Sequence, residues 1–150
     1  MSHLFQFEQD FVESLRCIPM AVRLKLDTCG VKLKLTHWHQ LSLEERQDLL
    51  QLPCENTPDV AAYEEYLQGL VVKYTGTPAS PLNIDPHPPW LEVQNIPPTV
   101  LEKAASVAVT IPLAKWASLS PLQRFVLIKL SRPSHENKNF VPALKEFNLI

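Results

Sequence analysis

Apolar residues recur every three or four positions along most of this chain, the spacing of helices with one buried face. Near the start, Phe7, Phe11, Val12 and Leu15 share a helical face and predict a short helix over about residues 8 to 16, with Phe5 and Phe7 beside an extended lead-in. Pro19 suits a first helical turn. Val22, Leu24 and Leu26 follow, and Gly30 permits the left-handed exit that ends a helix after Cys29. Val31, Leu33 and Leu35 then alternate with Lys32 and Lys34, a period of two that predicts a short half-buried extended piece; Val109, Ile111 and Leu113 keep the same pattern. Pro112 falls on the outward side there, which confines the piece to an edge or isolates it.

The best-defined helices follow Trp38 and Trp116. Ser42 to Glu45 reads SLEE, a capping box in which the serine hydroxyl accepts from the third helical amide and the glutamate accepts from the serine amide. Ser120 to Gln123 reads SPLQ, the same device with proline at the first helical position, where its missing N–H is no loss. Leu43, Leu49, Leu50 and Leu52 supply the apolar face of the first; Leu122, Phe125, Leu127, Ile128 and Leu130 supply that of the second. A longer helix is predicted from about Pro58 to Tyr74, with Val60, Tyr63, Leu67, Leu70, Val71 and Tyr74 on its core stripe and Gly76 ending it; its counterpart runs from about Val141 to Phe147. Between them lies a proline-rich stretch, about residues 76 to 95. It is excluded from helix and central strand, and Ile84 and Trp90 mark it as a strap across the core.

Two of these patterns are one pattern used twice. Residues 18 to 53 align without a gap on residues 96 to 131, with 12 identities in 36 positions, among them Val22/Val100, Trp38/Trp116, Ser42/Ser120, Arg46/Arg124 and Leu49/Leu127. After three inserted residues the match resumes through Glu55/Glu136, Asn56/Asn137, Val60/Val141, Ala62/Ala143 and Glu65/Glu146. The expected fold is therefore all-α, with at most very short extended segments. It is one domain over residues 1–150, with repeat 1 at about 18–75, the strap at about 76–95 and repeat 2 at about 96–150, the two repeats packing about a pseudo-twofold axis.

Composition narrows the function without naming it. With 14 basic and 16 acidic residues the net charge is −2, and neither sign forms a long block, which argues against a nucleic-acid or anionic-membrane partner. Three cysteines, no apolar leader and no apolar run of bilayer length fit a cytoplasmic, reduced protein. The three glycines form no phosphate-cradling loop, and no serine elbow, paired catalytic carboxylates, HExxH or Walker motif occurs, so the residues make no positive case for an enzyme and call for no cofactor.

Residues that differ between the copies are the candidates for chemistry. Cys17, Cys29 and Cys54 lack the two-to-four-residue chelating spacing of zinc sites and read as buried small hydrophobes. His37 and His39 flank Trp38 and could share one side of an extended segment, yet they have no further ligand nearby; polar residues on a surface loop is the simpler account. Trp38 and Trp116 read as packing, and Arg46 and Arg124 as stems laid on tryptophan whose guanidinium closes a carbonyl or carboxylate. Sharper is the equivalence of Cys54-Glu55-Asn56 with His135-Glu136-Asn137. A thiol and an imidazole stand at matched positions before matched helices, the pair needed to activate a thiolate if the loops meet. The candidate binding site is accordingly Cys54, Glu55, Arg132, His135, Glu136 and Asn137, against the plainer reading in which each asparagine caps its helix. No catalytic or metal-ligating residue is assigned.

Three segments carry a resemblance: FEQDFVESLRCIPMAVRLKLDTCGVKL at Phe7 to Leu33, LQLPC at Leu50 to Cys54, and LQRFVLIKLSRPSHENKNFVPALKEF at Leu122 to Phe147. Together they resemble the nitrate reductase-associated protein family of cyanobacteria over essentially the whole chain. The resemblance implies a small soluble accessory protein of nitrate assimilation, a partner of nitrate reductase or of its molybdenum-cofactor machinery, with no catalytic residues to carry over. Two other classes remain. A small-molecule binder needs a pocket between the repeats lined by residues such as Arg16, Arg23, Asp27 and Arg132. A thiol or metal protein needs at least two of Cys17, Cys29, Cys54, His37, His39 and His135 to converge.

Overall fold

The structure, a computed structural model, describes residues 4–9, 15–133 and 135–150, the side chains of His135 and Glu136 excepted. It is mostly helical, with one two-stranded ribbon among the described residues, as the sequence predicts. Its contacts gather into two compact units, Met1–Ile84 and Asp85–Ile150.

In the N-terminal unit, Gln6–Glu8 is a 3-10 turn, and Leu15 takes a left-handed φ of 55°. Of the helix expected over residues 8 to 16, Leu15 and Arg16 are not helical, and residues 10–14 lie outside the described residues. Helix α1 (Met20–Cys29) starts after Pro19, which is its N-cap and not its first helical residue, and ends at Gly30 with φ 75°. Gly30 is doubly required. Its φ is left-handed, and a Cβ there would stand 2.8 Å from the side chain of Ile84 and 2.9 Å from the carbonyl of Leu82. The adjacent strand β1 (Val31–Lys32) pairs antiparallel with β2 (Ser80–Pro81), and the Leu82 amide donates to the Gly30 carbonyl at 2.8 Å, so the strap begins by pairing with the exit of α1.

The extended piece is shorter than the alternation of Val31, Leu33 and Leu35 predicts. Leu35 already opens helix α2 (Leu35–Gln40), and Leu113 opens the matching helix of the other unit. Both leucines are about half exposed, at 48% and 49%, so the alternation there reflected no buried sheet face. Helix α3 (Leu43–Gln51) starts on Ser42 with both arms of the capping box made, at 3.1 Å and 2.8 Å. Helix α4 (Thr57–Thr75) is capped by the Asn56 side chain, which accepts from the Asp59 amide, and stops at Gly76 with φ 84°. Val22, Trp38, Leu49, Tyr63, Leu67 and Val71 form the fully buried centre.

The C-terminal unit holds a second 3-10 turn (Pro89–Leu91), α5 (Pro98–Ser106), α6 (Leu113–Ser118), α7 (Pro121–Ser131), a third 3-10 turn (His135–Asn139) and α8 (Phe140–Glu146). Helices α5, α6 and α7 begin 78 positions after α1, α2 and α3, on the N-caps Pro97, Pro112 and Ser120, which stand where Pro19, Lys34 and Ser42 stand in the first unit. Trp116, Phe125, Leu127, Leu130, Phe140 and Leu144 are fully buried. Trp90 does lie against a core, with its ring edge-on to Phe125 at 5.1 Å, whereas Ile84 covers Gly30 and is otherwise exposed.

Candidate functional site

Two residues that the repeat keeps, a tryptophan and an arginine one turn into the next helix, build the same device in each unit. Trp38 is fully buried, and its indole N–H donates to the Leu15 carbonyl at 2.6 Å. Arg46 lies over the Trp38 ring, 5.9 Å from its centroid, and donates to the carbonyls of Trp38 (3.1 Å), Leu15 (3.2 Å) and His39 (3.0 Å). In the second unit Trp116 donates to the Glu92 carbonyl at 3.0 Å. Arg124 donates to the carbonyls of Trp90 (2.6 Å), Trp116 (3.3 Å), Ala117 (3.4 Å) and Leu119. Each pair thus closes the C-terminal carbonyls of a six-residue helix and also grips the main chain of the segment leading into its repeat. A guanidinium suits this task because its fixed fork of donors meets several carbonyls at once.

The histidines beside Trp38 belong to this arrangement. They lie on helix α2, not on an extended segment, and residues two apart on a helix point to opposite sides. His37 Nδ1 accepts from the Lys34 amide at 3.2 Å, and burial followed by the nearby Lys34 pulls its pKa down. His39 Nε2 meets the Arg16 carbonyl at 2.9 Å, which requires the tautomer with hydrogen on that nitrogen. Among the described residues no group of three or more His, Cys, Asp or Glu side chains could hold a metal ion.

Cys54 sits at a second junction, where α1, α3 and α4 meet. Its thiol donates to the Lys25 carbonyl at 3.8 Å, and the Lys25 ammonium closes the end of α3 by donating to Leu50 (2.7 Å) and Leu52 (2.6 Å) while lying over the Tyr63 ring. Tyr63 donates its hydroxyl to the Leu49 carbonyl at 2.7 Å. Burial lowers the Lys25 pKa, a pull that Cys54 and Glu55 oppose. Burial pushes the Cys29 thiol up to about 12 and the Cys54 thiol to about 11, with Lys25 restraining the latter. At neutral pH both are therefore thiols rather than thiolates.

The other residues of the predicted site are placed as follows. Glu55 is exposed next to Cys54. Arg132 is exposed and forms the C-cap of α7, its amide donating to the Lys129 carbonyl at 3.4 Å. Asn137 is half-buried inside the 3-10 turn His135–Asn139, so it does not cap the final helix as Asn56 caps α4; the N-cap there is Asn139, without a side-chain cap bond. The side chains of His135 and Glu136 lie outside the described residues. The structure thus brings Cys54 and Glu55 together with Lys25, and places Arg132, the first inserted residue, at the end of α7 and Asn137 inside the 3-10 turn that follows the insertion.

Sequence reasoning missed Glu8. It is fully buried, and its carboxylate accepts from the amides of Phe5 (3.1 Å) and Met20 (3.2 Å), the latter being the first residue of α1. An acidic residue twelve positions ahead of a helix leaves no local signature, because its partners are main-chain amides. The matched arginines, by contrast, were visible as identities.

No curated protein and no solved structure matched this chain in comparison. A family profile described as conserved nitrate reductase-associated protein matches residues 4–147, and the chain belongs to that family.

Proposed function

We propose that the protein is a non-enzymatic accessory of nitrate assimilation that acts as an interaction or assembly partner of nitrate reductase or of its molybdenum-cofactor machinery. The observation that carries this reading is the family match, which covers residues 4–147 of 150 and is described by association with nitrate reductase. Supporting it, the two cysteines at the α1–α4 junction are held protonated, and among the described residues no helix is long and apolar enough to cross a membrane. The candidate contact residues in this reading are Arg132, His135, Glu136 and Asn137 on the loop where the second copy gains three residues and, separately on the first copy, Glu55 beside the buried Cys54. Loops mounted on capped helices are where binding residues concentrate.

Affinity recovery from nitrate-grown cells, with molybdenum-cofactor content measured in the same material, tests the association. Recovery of nitrate reductase or a cofactor protein is expected, and recovery of neither contradicts the reading. Arg132→Ala and His135→Ala should weaken recovery with thermal stability nearly unchanged. Loss of stability in both assigns the loop to the scaffold.

A further inference from the structure

A lysine that the repeat keeps has a task in the first unit that is done by another residue in the second. Lys25 of α1 reaches the end of α3 and closes the carbonyls of Leu50 and Leu52. Its counterpart on α5 is Lys103, and the carbonyl that corresponds to that of Leu50 belongs to Ile128. There the Ser131 hydroxyl donates to it at 2.7 Å, a bond that Pro53, the residue matching Ser131, cannot make. With no proline at this position α7 also runs two residues further than α3, to its C-cap at Arg132. Lys103 is half-buried, and its ammonium is left without a hydrogen bond or ion pair among the described residues. Glu102, the acid next to it in sequence, does not face it, because successive residues of a helix point apart.

Lys103 and Arg132 stand at the same end of α7. Thr99 lies one turn before Lys103 on α5, and the Ser131 hydroxyl, next to Arg132, donates to the Thr99 hydroxyl at 3.3 Å. Arg132 is exposed, is absent from the first copy, and likewise has no carboxylate partner among the described residues. Lys129, in the last turn of α7, is laid over the Phe125 ring at 5.2 Å and is not counted with them. The charge of the two units points the same way. Asp85–Ile150 holds seven Lys and Arg against five Asp and Glu, whereas Met1–Ile84 holds seven against eleven, so an anionic partner is drawn to the C-terminal unit.

We propose that Lys103 and Arg132 form a paired cation site for neighbouring carboxylates in an acidic segment of the association partner. Arg132 supplies a planar fork that takes one carboxylate through two bonds, and Lys103 supplies a point charge beside it. Two cations are too few to track a phosphate backbone, and the net charge of −2 on the chain repels one, which favours a protein segment over nucleic acid. The identity of the partner rests on the association reading above; the chemistry of the site does not.

The probe is a dye-labelled hexaglutamate peptide, titrated with the full chain at low salt. Lys103→Ala together with Arg132→Ala should weaken its binding about tenfold, as the loss of two exposed ion pairs requires. Lys115→Ala removes an exposed charge from the same unit and should change binding by less than about twofold. No binding to the wild type, or equal weakening by Lys115→Ala, overturns the proposal. So does a hexanucleotide that binds through the same two residues more tightly than the peptide. Thermal melts separate a binding lysine from a helix cap: Lys25→Ala should lower the midpoint by several degrees, and Lys103→Ala should leave it nearly unchanged. A drop of the same size for both makes Lys103 a cap and overturns the proposal. Nitrate reductase recovery that ignores the double substitution overturns the site but keeps the association; peptide binding that needs both cations, without nitrate reductase recovery, keeps the cation site and removes the association.

Discussion

Helices α3 and α7 begin on the same serine cap, follow the same buried tryptophan and carry the same arginine, yet they occupy different places in their units. Along α3 only Leu49 and Leu50 are buried, whereas α7 is buried at Arg124, Phe125, Val126, Leu127, Ile128, Leu130 and Ser131. The substitutions explain the difference. Gln47, Asp48 and Leu50 of α3 correspond to Phe125, Val126 and Ile128 of α7, so a one-sided apolar stripe becomes apolar nearly all round. Helix α7 accordingly touches the Pro89–Leu91 turn, α5, the His135–Asn139 turn and α8, as a central helix does. In the first unit that role passes to α4, which has 19 residues against the 7 of α8 and buries Tyr63, Leu67, Leu70 and Val71. The outer face of α3 then stays polar and is tied to α4 by hydroxyls instead: Tyr66 to Asp48 at 2.8 Å and Tyr74 to Glu45 at 2.7 Å. A repeated cap, tryptophan and arginine thus set the local turn, while the residues between them decide which helix becomes the centre.

The strongest way to break this comparison is to cut the same position in both helices. Phe125→Ala should destabilise the protein by about 3–5 kcal/mol, because it empties a fully buried aromatic site. Gln47→Ala, its counterpart on the exposed face of α3, should stay within about 0.5 kcal/mol. Denaturant unfolding of the two variants measures the contrast, and similar losses would mean that α3 is as central as α7.

The arginines should differ in the same sense by less. Arg124 is buried, at 4% exposure, and its loss in Arg124→Ala strands the carbonyls of Trp90, Trp116 and Leu119 for a cost of about 2–3 kcal/mol. Arg46 is half-buried, so solvent replaces part of what Arg46→Ala removes and the loss should be about 1–2 kcal/mol. An equal or inverted order in the same denaturation assay would show that the leading segment depends on its arginine as much as, or more than, the strap does.

A third difference is electrostatic, since Glu45 of the first box is Gln123 in the second. Burial pushes the Glu45 carboxyl up, but the Ser42 amide, the Tyr74 hydroxyl, Lys73 and the Ser42 hydroxyl outweigh it and hold the pKa down at about 2, against an ordinary 4.5. A depressed carboxylate stabilises the fold fully above its unfolded pKa, and the contribution disappears as pH falls from about 4.5 to about 2. After allowance for solvent around the exposed Lys73 partner, the effect should be about 1–2 kcal/mol. Glu45→Gln should flatten the stability–pH curve in that window. An unchanged curve places the acid sensitivity on other carboxylates.

Both capping boxes, α4 with its glycine stop, and the buried tryptophans were legible because each depends on residues close in sequence or on a full helical period. The extended reading through Leu35 and Leu113 failed because three alternating apolar residues also fit a strand end followed by an exposed first helical residue. The roles of Glu8 and Lys25 were invisible for a different reason, although Lys25 itself recurs as Lys103: both bond main-chain groups far along the chain, and backbone carries no residue-specific signal. The candidate site was legible only as a break in the repeat. That break located Cys54 and the inserted loop, but it could not foretell that Cys54 would be a buried donor to the Lys25 carbonyl or that Asn137 would enter a 3-10 turn and not cap a helix.

The smallest expected effect concerns the caps themselves, where the two units should come closest to agreement. Ser42→Ala and Ser120→Ala each remove a hydroxyl that accepts from the third helical amide, at 3.1 Å in both, and the bonds are exposed, so water takes part of the role. A loss of about 0.5–1 kcal/mol is expected for each. A residual difference should favour the first unit. Glu45 there stays oriented by Tyr74 and Lys73 when Ser42 is cut, and it continues to accept from the residue-42 amide, whereas Gln123 accepts from the Ser120 amide and carries no charge. Ser120→Ala should therefore cost a few tenths of a kcal/mol more than Ser42→Ala in parallel thermal melts. The reverse order would mean that the α3–α4 carboxylate network needs the serine hydroxyl to hold Glu45 in place, and that the polar tie between those helices is weaker than the packing around α7.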